Sequence, residues 1–486
     1  MEGNRVAYSL GIDLGTSGVK AGLLNLDTLK LECVSTQAYA DSPEQDPEAV
    51  WEQTLKVVKD SLSSSDGQAR VVSIGLAGQM HGAVLCDARG ELISPIITWQ
   101  DRKWSTRAVV GKIKLSMAGR TWAELGTEIS SGYTAAILCG IRENHPDLFR
   151  RIAHFVLPVD FLRGKLLGEN SYATDPTNAF GTGLFDTRAG CWHTELIARL
   201  GLPEEIFPQV HPSDQVAGGL STSLAHAVGL EAGLPVIYGG GDNQMSMLGS
   251  GLAGPASPLL VNIGTAAQVS KVIAEFQRYP GLDTRSFFDG LFAAVQASLA
   301  GGGSYAWLKA EGTAALGIKL DYPQMDDLAA RVPPGADGLV FNPGPARQAP
   351  DRRMGFLGNT AWVGDLAHRA RAVLEGVVMD LYDGVEILER QAPGEFLLGA
   401  GKGLQRSPLW AQIAADLFGK PLRITNIESA VWGAALLAGR GCGAIEDLNQ
   451  AVRTIEYEAE KRPEPKRAKF YREEFVPFWH QAVAAA

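Results

Sequence analysis

"LGIDLGTSGVKAGLL" (Leu10–Leu24) and "LVNIGTAAQVSKVI" (Leu260–Ile273) decide the fold. Each is an apolar strand, a Gly-Thr turn and a second apolar strand. The copies lie about half the chain apart. A device repeated at that distance points to two related α/β halves. The length of 486 residues agrees, because a chain of that size outgrows one ordinary core.

Outward from the first copy, "LKLECVSTQAY" (Leu29–Tyr39) continues as a third strand, with "DTLK" as the turn before it. "DPEAVWEQTLKVVKDSL" (Asp46–Leu62) then reads as a helix. Asp46 can cap it, Pro47 suits its first turn, and Val50, Leu55, Val58 and Leu62 recur at helical spacing. "VVSIGLAG" (Val71–Gly78) is a buried strand. The small, flexible stretch "LGSGLAGP" (Leu248–Pro255) suits a boundary, which divides the chain into residues 1–250 and 251–486. Late in the chain, "EFLLGAG" (Glu395–Gly401) is a strand running into glycines. "PLWAQIAADLFG" (Pro408–Gly419) is an amphipathic helix, and "SAVWGAALLAG" (Ser429–Gly439) is a small-residue helix suited to close packing. The charged segment "KRPEPKRAKFYREEF" (Lys461–Phe475) reads as surface.

Composition narrows the function. Apolar residues make up 45%, charged residues 20% and the net charge is −10, as in an ordinary soluble protein. The basic patch of a nucleic-acid binder is missing. The five cysteines show no CxxC or Cys/His spacing, so neither a disulfide framework nor a zinc site is expected. No apolar run approaches the roughly 18 residues of a membrane span. A cytoplasmic protein without a membrane partner is the expectation.

Five constellations could carry chemistry. In "GIDLGTSGVK" (Gly11–Lys20) the turn can aim backbone N–H groups at a phosphate, and Asp13 at the strand end can hold magnesium. "VNIGTAAQ" (Val261–Gln268) repeats the device, so two turns could clamp a nucleotide. "GAGKGLQ" (Gly399–Gln405) lets a flat ring approach the backbone. "GQMHG" (Gly78–Gly82) and "ITWQDRK" (Ile97–Lys103) put polar groups at the ends of apolar strands, where a polyhydroxy compound could bind. In "YGGGDNQ" (Tyr238–Gln244), Asp242 follows a buried strand and three glycines, a typical place for a general base. Capping of the following helix is the other reading of Asp242.

Taken in order, these motifs with "SAVWGAALLA" resemble the FGGY family of carbohydrate kinases, from about Ala7 to about Leu448. The Met-His pair and the Gly-Gly-Gly-Asp-Asn stretch are similar to xylulokinases. Gln100, Gln244, Gln268 and "SLAGGGS" (Ser298–Ser304) are more similar to sedoheptulokinase. The resemblance implies an α/β protein of two actin-like (ribonuclease H-like) ATPase domains with a cleft between them. The sugar would bind mainly to residues 1–250 and the nucleotide mainly to 251–486. It implies Asp242 as catalytic base and Asp13 as the second essential acid, beside Mg²⁺. It assigns Gly15, Thr16 and Lys20 to the first phosphate hairpin, Gly264 and Thr265 to the second, and Gly399, Ala400 and Gly401 to the adenosine side. Gln79, Met80, His81, Trp99, Asp101, Asp242, Asn243 and Gln244 would serve the sugar. Where many relatives carry Asp-Gly-Arg, this chain has Asp101-Arg102-Lys103, which brings two cations near that pocket.

The activity implied is transfer of the γ-phosphate of ATP to the terminal hydroxyl of a ketose, with sedoheptulose favoured and D-xylulose or D-ribulose as alternatives. The partners are then a small ketose and ATP, with a homodimer as the assembly to test. A non-enzymatic, actin-like nucleotide switch is the competing class. It has no need of a sugar-facing base.

Overall fold

Each copied hairpin stands at the centre of a seven-stranded sheet. The computed structural model describes residues 6–40, 42–65, 69–117, 123–170, 172–344 and 353–485. In the first sheet Ala7–Leu14 pairs antiparallel with Gly18–Asn25, and that strand with Leu31–Ala38. On its other side Ala7–Leu14 runs parallel to Arg70–Gly78, then come Pro235–Ile237 and the antiparallel edge Val216–Gly219. In the second sheet Leu259–Ile263 pairs antiparallel with Ala267–Ile273, and that strand with Phe292–Ser298. Leu259–Ile263 runs parallel to Leu397–Ala400, then come Leu422–Ile424 and the antiparallel edge Ala459–Lys461. The orders are the same strand for strand, so the repeat read from two short segments extends to whole sheets. Two strands fall outside the match: the short Gly240–Gly241 beside Arg70–Gly78 in the first sheet, and one strand in the second. Asp283–Ser286 is added outside Phe292–Ser298 and has no counterpart in the first sheet.

The helices form where their ends are capped. Asp46 accepts from the Glu48 N–H at the start of Pro47–Ser63. Ser407 accepts from the Trp410 N–H at the start of Pro408–Phe418, and Gly419 ends that helix with φ of 66°. Such a left-handed C-terminus favours glycine, which has no Cβ to clash.

Two helices join the halves. Asp242–Gly249 follows the first sheet and Ser429–Gly441 follows the second, and they pack against each other. A Cβ on Gly433 would lie 2.1 Å from the Met245 carbonyl oxygen, and one on Gly249 would lie 1.8 Å from that of Ser429. Ser429–Gly441 also lies on the first sheet, where a Cβ on Gly11 or Gly75 would meet its backbone at 2.1 Å and 1.9 Å. Small residues therefore set this contact. Leu24, Leu260, Val272, Leu398, Met245, Trp432 and Leu436 share the core that results.

Two readings need correction. The charged segment Lys461–Phe475 is not simply surface. Tyr471, Phe475 and Trp479 are buried in the second core. The Tyr471 hydroxyl donates to Glu375 at 2.6 Å and accepts from Arg371 at 2.7 Å. The charges are real, but aromatic residues between them dock the segment. Asp242 is not a helix cap either: Gly241 is the N-cap, and Asp242 is the first helical residue. Among the described residues no helix is long and apolar enough to cross a membrane.

Candidate active site

The strand ends of the first sheet hold two carboxylates. Asp13 ends the apolar strand Ala7–Leu14 and lies opposite Lys20 across the hairpin. Its Oδ1 is buried without a hydrogen-bond partner. Burial pushes its pKa up to about 7, Asp242 and Glu428 push the same way, and Lys20 pulls it down. Asp242 follows Gly240–Gly241, which pairs with Ala77 and Gly78 beside the Asp13 strand. Burial raises its pKa to about 6, against the Asn243 N–H that donates to Oδ1 at 2.8 Å and the Arg285 charge.

The first turn is braced from several sides. The Gly15 N–H donates to the Gly18 carbonyl at 3.0 Å, and the Tyr39 hydroxyl donates to the Gly15 carbonyl. The Gln45 amide donates to the Thr16 carbonyl at 2.6 Å. Trp99, 37% exposed, donates from its indole to Thr16 Oγ1 at 2.8 Å. Trp99 thus ties the "TWQD" loop to the phosphate-type turn. Lys20 donates to Glu428, the residue before helix Ser429–Gly441.

The second turn meets the glycine loop. Gly264 N–H donates to the Ala266 carbonyl at 2.9 Å. The carbonyls of Gly264 and Thr265 accept from Gly302 and Gly303, the start of helix Gly302–Leu316. Gly401, at φ of 86°, passes so close that a Cβ would lie 2.5 Å from the Ile263 carbonyl oxygen. Gly399 and Ala400 are buried inside the strand Leu397–Ala400. Of the three, only Gly401 stands at the turn.

The remaining predicted residues divide. His81 accepts no proton at Nδ1: that nitrogen donates to the Gly181 carbonyl at 2.6 Å, and Tyr133 packs on the ring at 4.3 Å. Burial holds His81 neutral, with its pKa lowered to about 4. Gln79 is buried with both amide atoms unpartnered, an arrangement that awaits a polar ligand. Met80 packs on Gly241 and Gly181. Asn243 donates to Gln268 at 2.8 Å and accepts from Arg285 at 2.9 Å, so it ties the helix after the first sheet to two strands of the second.

Two residues are tied into the fold by their own hydrogen bonds. Asp101 is fully buried, and its carboxylate accepts backbone N–H groups from Lys103, Trp104 and Ser105. It folds its own loop. Gln244 is buried and donates to the Ser286 carbonyl at 3.1 Å. Its Nε2 ties the helix to the added strand, while its Oε1 is buried without a partner beside Gly241. The cations next to Asp101 are also engaged. Arg102 donates to the Trp99 and Asp101 carbonyls, and Lys103 pairs with Glu44 at 2.9 Å.

Sequence reading missed Glu428 and Arg285. Glu428 stands at the start of the small-residue helix, a position that signals only an N-terminus. Arg285 lies in a strand with no recognisable motif.

Two α/β halves of one topology, each with a Gly-Thr turn after its central strand, define a two-domain phosphate-binding class of protein. Residues 8–249 match the N-terminal domain of the FGGY family of carbohydrate kinases, and residues 280–442 match its C-terminal domain. The chain is 30% identical to the xylulose kinase of Lactococcus lactis subsp. lactis (strain IL1403), over 98% of this chain and 96% of that one. It is 28% identical to the xylulose kinase of Escherichia coli (strain K12), over 98% and 99%. The xylulose kinase of Rhodospirillum rubrum superposes with a TM-score of 0.87 at 26% identity, covering 98% of each chain. The gluconate kinase of Lactobacillus acidophilus has the same fold, with a TM-score of 0.88 at 21% identity over 98% and 97%. The chain belongs to the FGGY family of carbohydrate kinases. It is a phosphotransferase acting on a sugar hydroxyl.

Proposed function

We propose that this kinase is an ATP-dependent pentulose kinase, with D-xylulose as first substrate and D-ribulose next. Its relatives named xylulose kinase support the pentulose over sedoheptulose.

One observation carries the mechanism: Asp13 and Asp242 stand at the ends of the two strands that flank Arg70–Gly78, and both carboxyls are raised by burial. Asp242 is the base. The terminal ketose hydroxyl attacks the γ-phosphorus, its proton passes to Asp242, and the bond to the bridging oxygen breaks, leaving ADP. A positioned carboxylate of this kind contributes roughly 10²–10⁴-fold. The rest is positioning and charge stabilisation. Gly15, Thr16 and Lys20 hold the phosphates on one side and Gly264 and Thr265 on the other. Gly401, with Gly399 and Ala400 shaping its strand, leaves room for adenosine. Gln79, His81 and Asn243 take sugar hydroxyls, Met80 packs the floor, and Trp99 closes the side toward Thr16. In this reading residues 1–250 carry the sugar and 251–486 the nucleotide.

Asp13 fits magnesium. Its Oδ1 lacks a partner, and among the described residues no cluster of three metal-ligating side chains competes for the ion. Magnesium is commonly held by one or two carboxylates together with water and substrate phosphates. When bound, it would neutralise charge on the phosphates.

ADP release coupled to an optical readout, over D-xylulose, D-ribulose, sedoheptulose and glycerol, tests the proposal. D-xylulose should give the highest kcat/KM. A clear preference for sedoheptulose would reverse the substrate order, and no release with any of them would end the reading.

A further inference from the structure

The added strand of the second sheet, Asp283–Ser286, delivers one side chain to the opposite half. It is seated there by the Thr284 N–H, which donates to the Gly126 carbonyl at 2.8 Å. Gly126 cannot be larger, since a Cβ would lie 2.0 Å from the Thr284 carbonyl oxygen. Arg285, 8% exposed, then lies beside Asn243 and Phe180. One guanidinium nitrogen donates to Asn243 Oδ1 at 2.9 Å and another to Asp283 at 3.1 Å. The guanidinium carbon stands 5.8 Å from the Phe180 ring centre, and the next residue, Gly181, holds His81. Nε is buried and has no partner. Its charge reaches both functional groups, lowering the Asp242 carboxyl and the His81 imidazole alike.

We infer that Arg285 is a sugar-reading residue, contributed by the second half to a pocket built mainly by the first, and that its Nε–H donates to a ketose hydroxyl. A buried N–H is costly without an acceptor, and none is available among the described residues. Asp283 balances the guanidinium charge, and Asp242 stands nearby. The pocket is therefore suited to a neutral polyol rather than a sugar acid. The arrangement also makes the pocket depend on both halves, so ketose binding draws them together.

The inference rests on the ketose-kinase reading, and the test separates the two. Wild type with D-xylulose checks that reading alone: without ADP release on any ketose it fails, whatever Arg285 does. Given activity, Arg285→Lys keeps the charge but lacks Nε, and Arg285→Gln removes both. Each should raise the D-xylulose KM by about 10- to 100-fold. ATP affinity measured by calorimetry and the circular dichroism spectrum should be unchanged. One ketose analogue lacking a single hydroxyl should lose binding with wild type and lose nothing further with Arg285→Lys. Gluconate should bind no better than glycerol. A wild-type KM in Arg285→Lys, or independent losses with every deoxy analogue, would overturn the assignment, as would gluconate binding above D-xylulose.

Discussion

Lys20 donates to Glu428 across the two halves, from the first turn to the start of the joining helix. Both residues also act on Asp13, in opposite directions: Lys20 lowers its pKa and Glu428 raises it. The pair is partly exposed, at 27% and 40%, so its value to stability is small, about 0–1 kcal/mol. Its value to chemistry is larger. If Asp13 works ionised, Lys20→Met should move the acidic limb of the kcat profile upward in pH and lower kcat by roughly 10- to 100-fold. Glu428→Gln should move that limb downward. Profiles shifting in the same direction would show that neither acts through Asp13.

Asp242→Asn tests the base. A base must be unprotonated, and the Asp242 carboxyl is raised to about 6. Wild-type rate should therefore fall as pH drops through about 6. The asparagine variant should lose roughly 10²–10⁴-fold in kcat and keep its ATP affinity. An unchanged kcat removes Asp242 from the role.

Asp13 should cost stability where it is ionised. Its carboxyl rises from the ordinary aspartate value to about 7 on folding, so the folded state binds the proton more tightly. Its favourable contribution is complete below pH about 4 and is lost as pH rises through about 7. At pH 8 and without magnesium, Asp13→Asn should be more stable by about 1–3 kcal/mol, while activity collapses. At pH 4 the difference should vanish. Urea denaturation at the two pH values measures it. Equal stability at pH 8 would mean that Asp13 is better solvated than its unpartnered Oδ1 indicates.

Much of this was legible because the fold repeats a hairpin whose Gly-Thr turn is short and bounded by apolar strands. The helix signals also held, since caps such as Asp46 and Ser407 act locally. What escaped depends on distance in sequence or on direction in space. Lys20 and Glu428 lie at opposite ends of the chain, and nothing local in either predicts the other. Asp101 sits in a motif that reads as pocket, yet its carboxylate turns inward to satisfy three N–H groups. Composition cannot tell an acid that faces solvent from one that folds a loop.

Asp101 consequently gives a prediction opposite to that of a sugar contact. Asp101→Ala leaves buried N–H groups of Trp104 and Ser105 without acceptors, each costing about 1–3 kcal/mol. Melting temperature should fall clearly. Once saturated with ketose at low temperature, the folded fraction should retain kcat within about tenfold. A variant with normal melting and a high ketose KM would restore Asp101 to the pocket.

The joining helices offer the sharpest contrast in sign. Gly433 and Gly111 are both interior to helices, where replacing glycine by alanine ordinarily gains about 1 kcal/mol. At Gly111 a Cβ meets nothing within 4 Å, so Gly111→Ala should stabilise by about that amount. At Gly433 the Cβ would lie 2.1 Å from the Met245 carbonyl oxygen, a backbone atom that moves only if the helices separate. Overpacking of this kind costs about 1–3 kcal/mol and outweighs the helix gain. Because the contact joins the halves, Gly433→Ala should also lower kcat, whereas Gly111→Ala should not. Chemical denaturation and ADP release on both variants decide it. Stabilisation by Gly433→Ala would mean that the helices are held apart by something other than glycine.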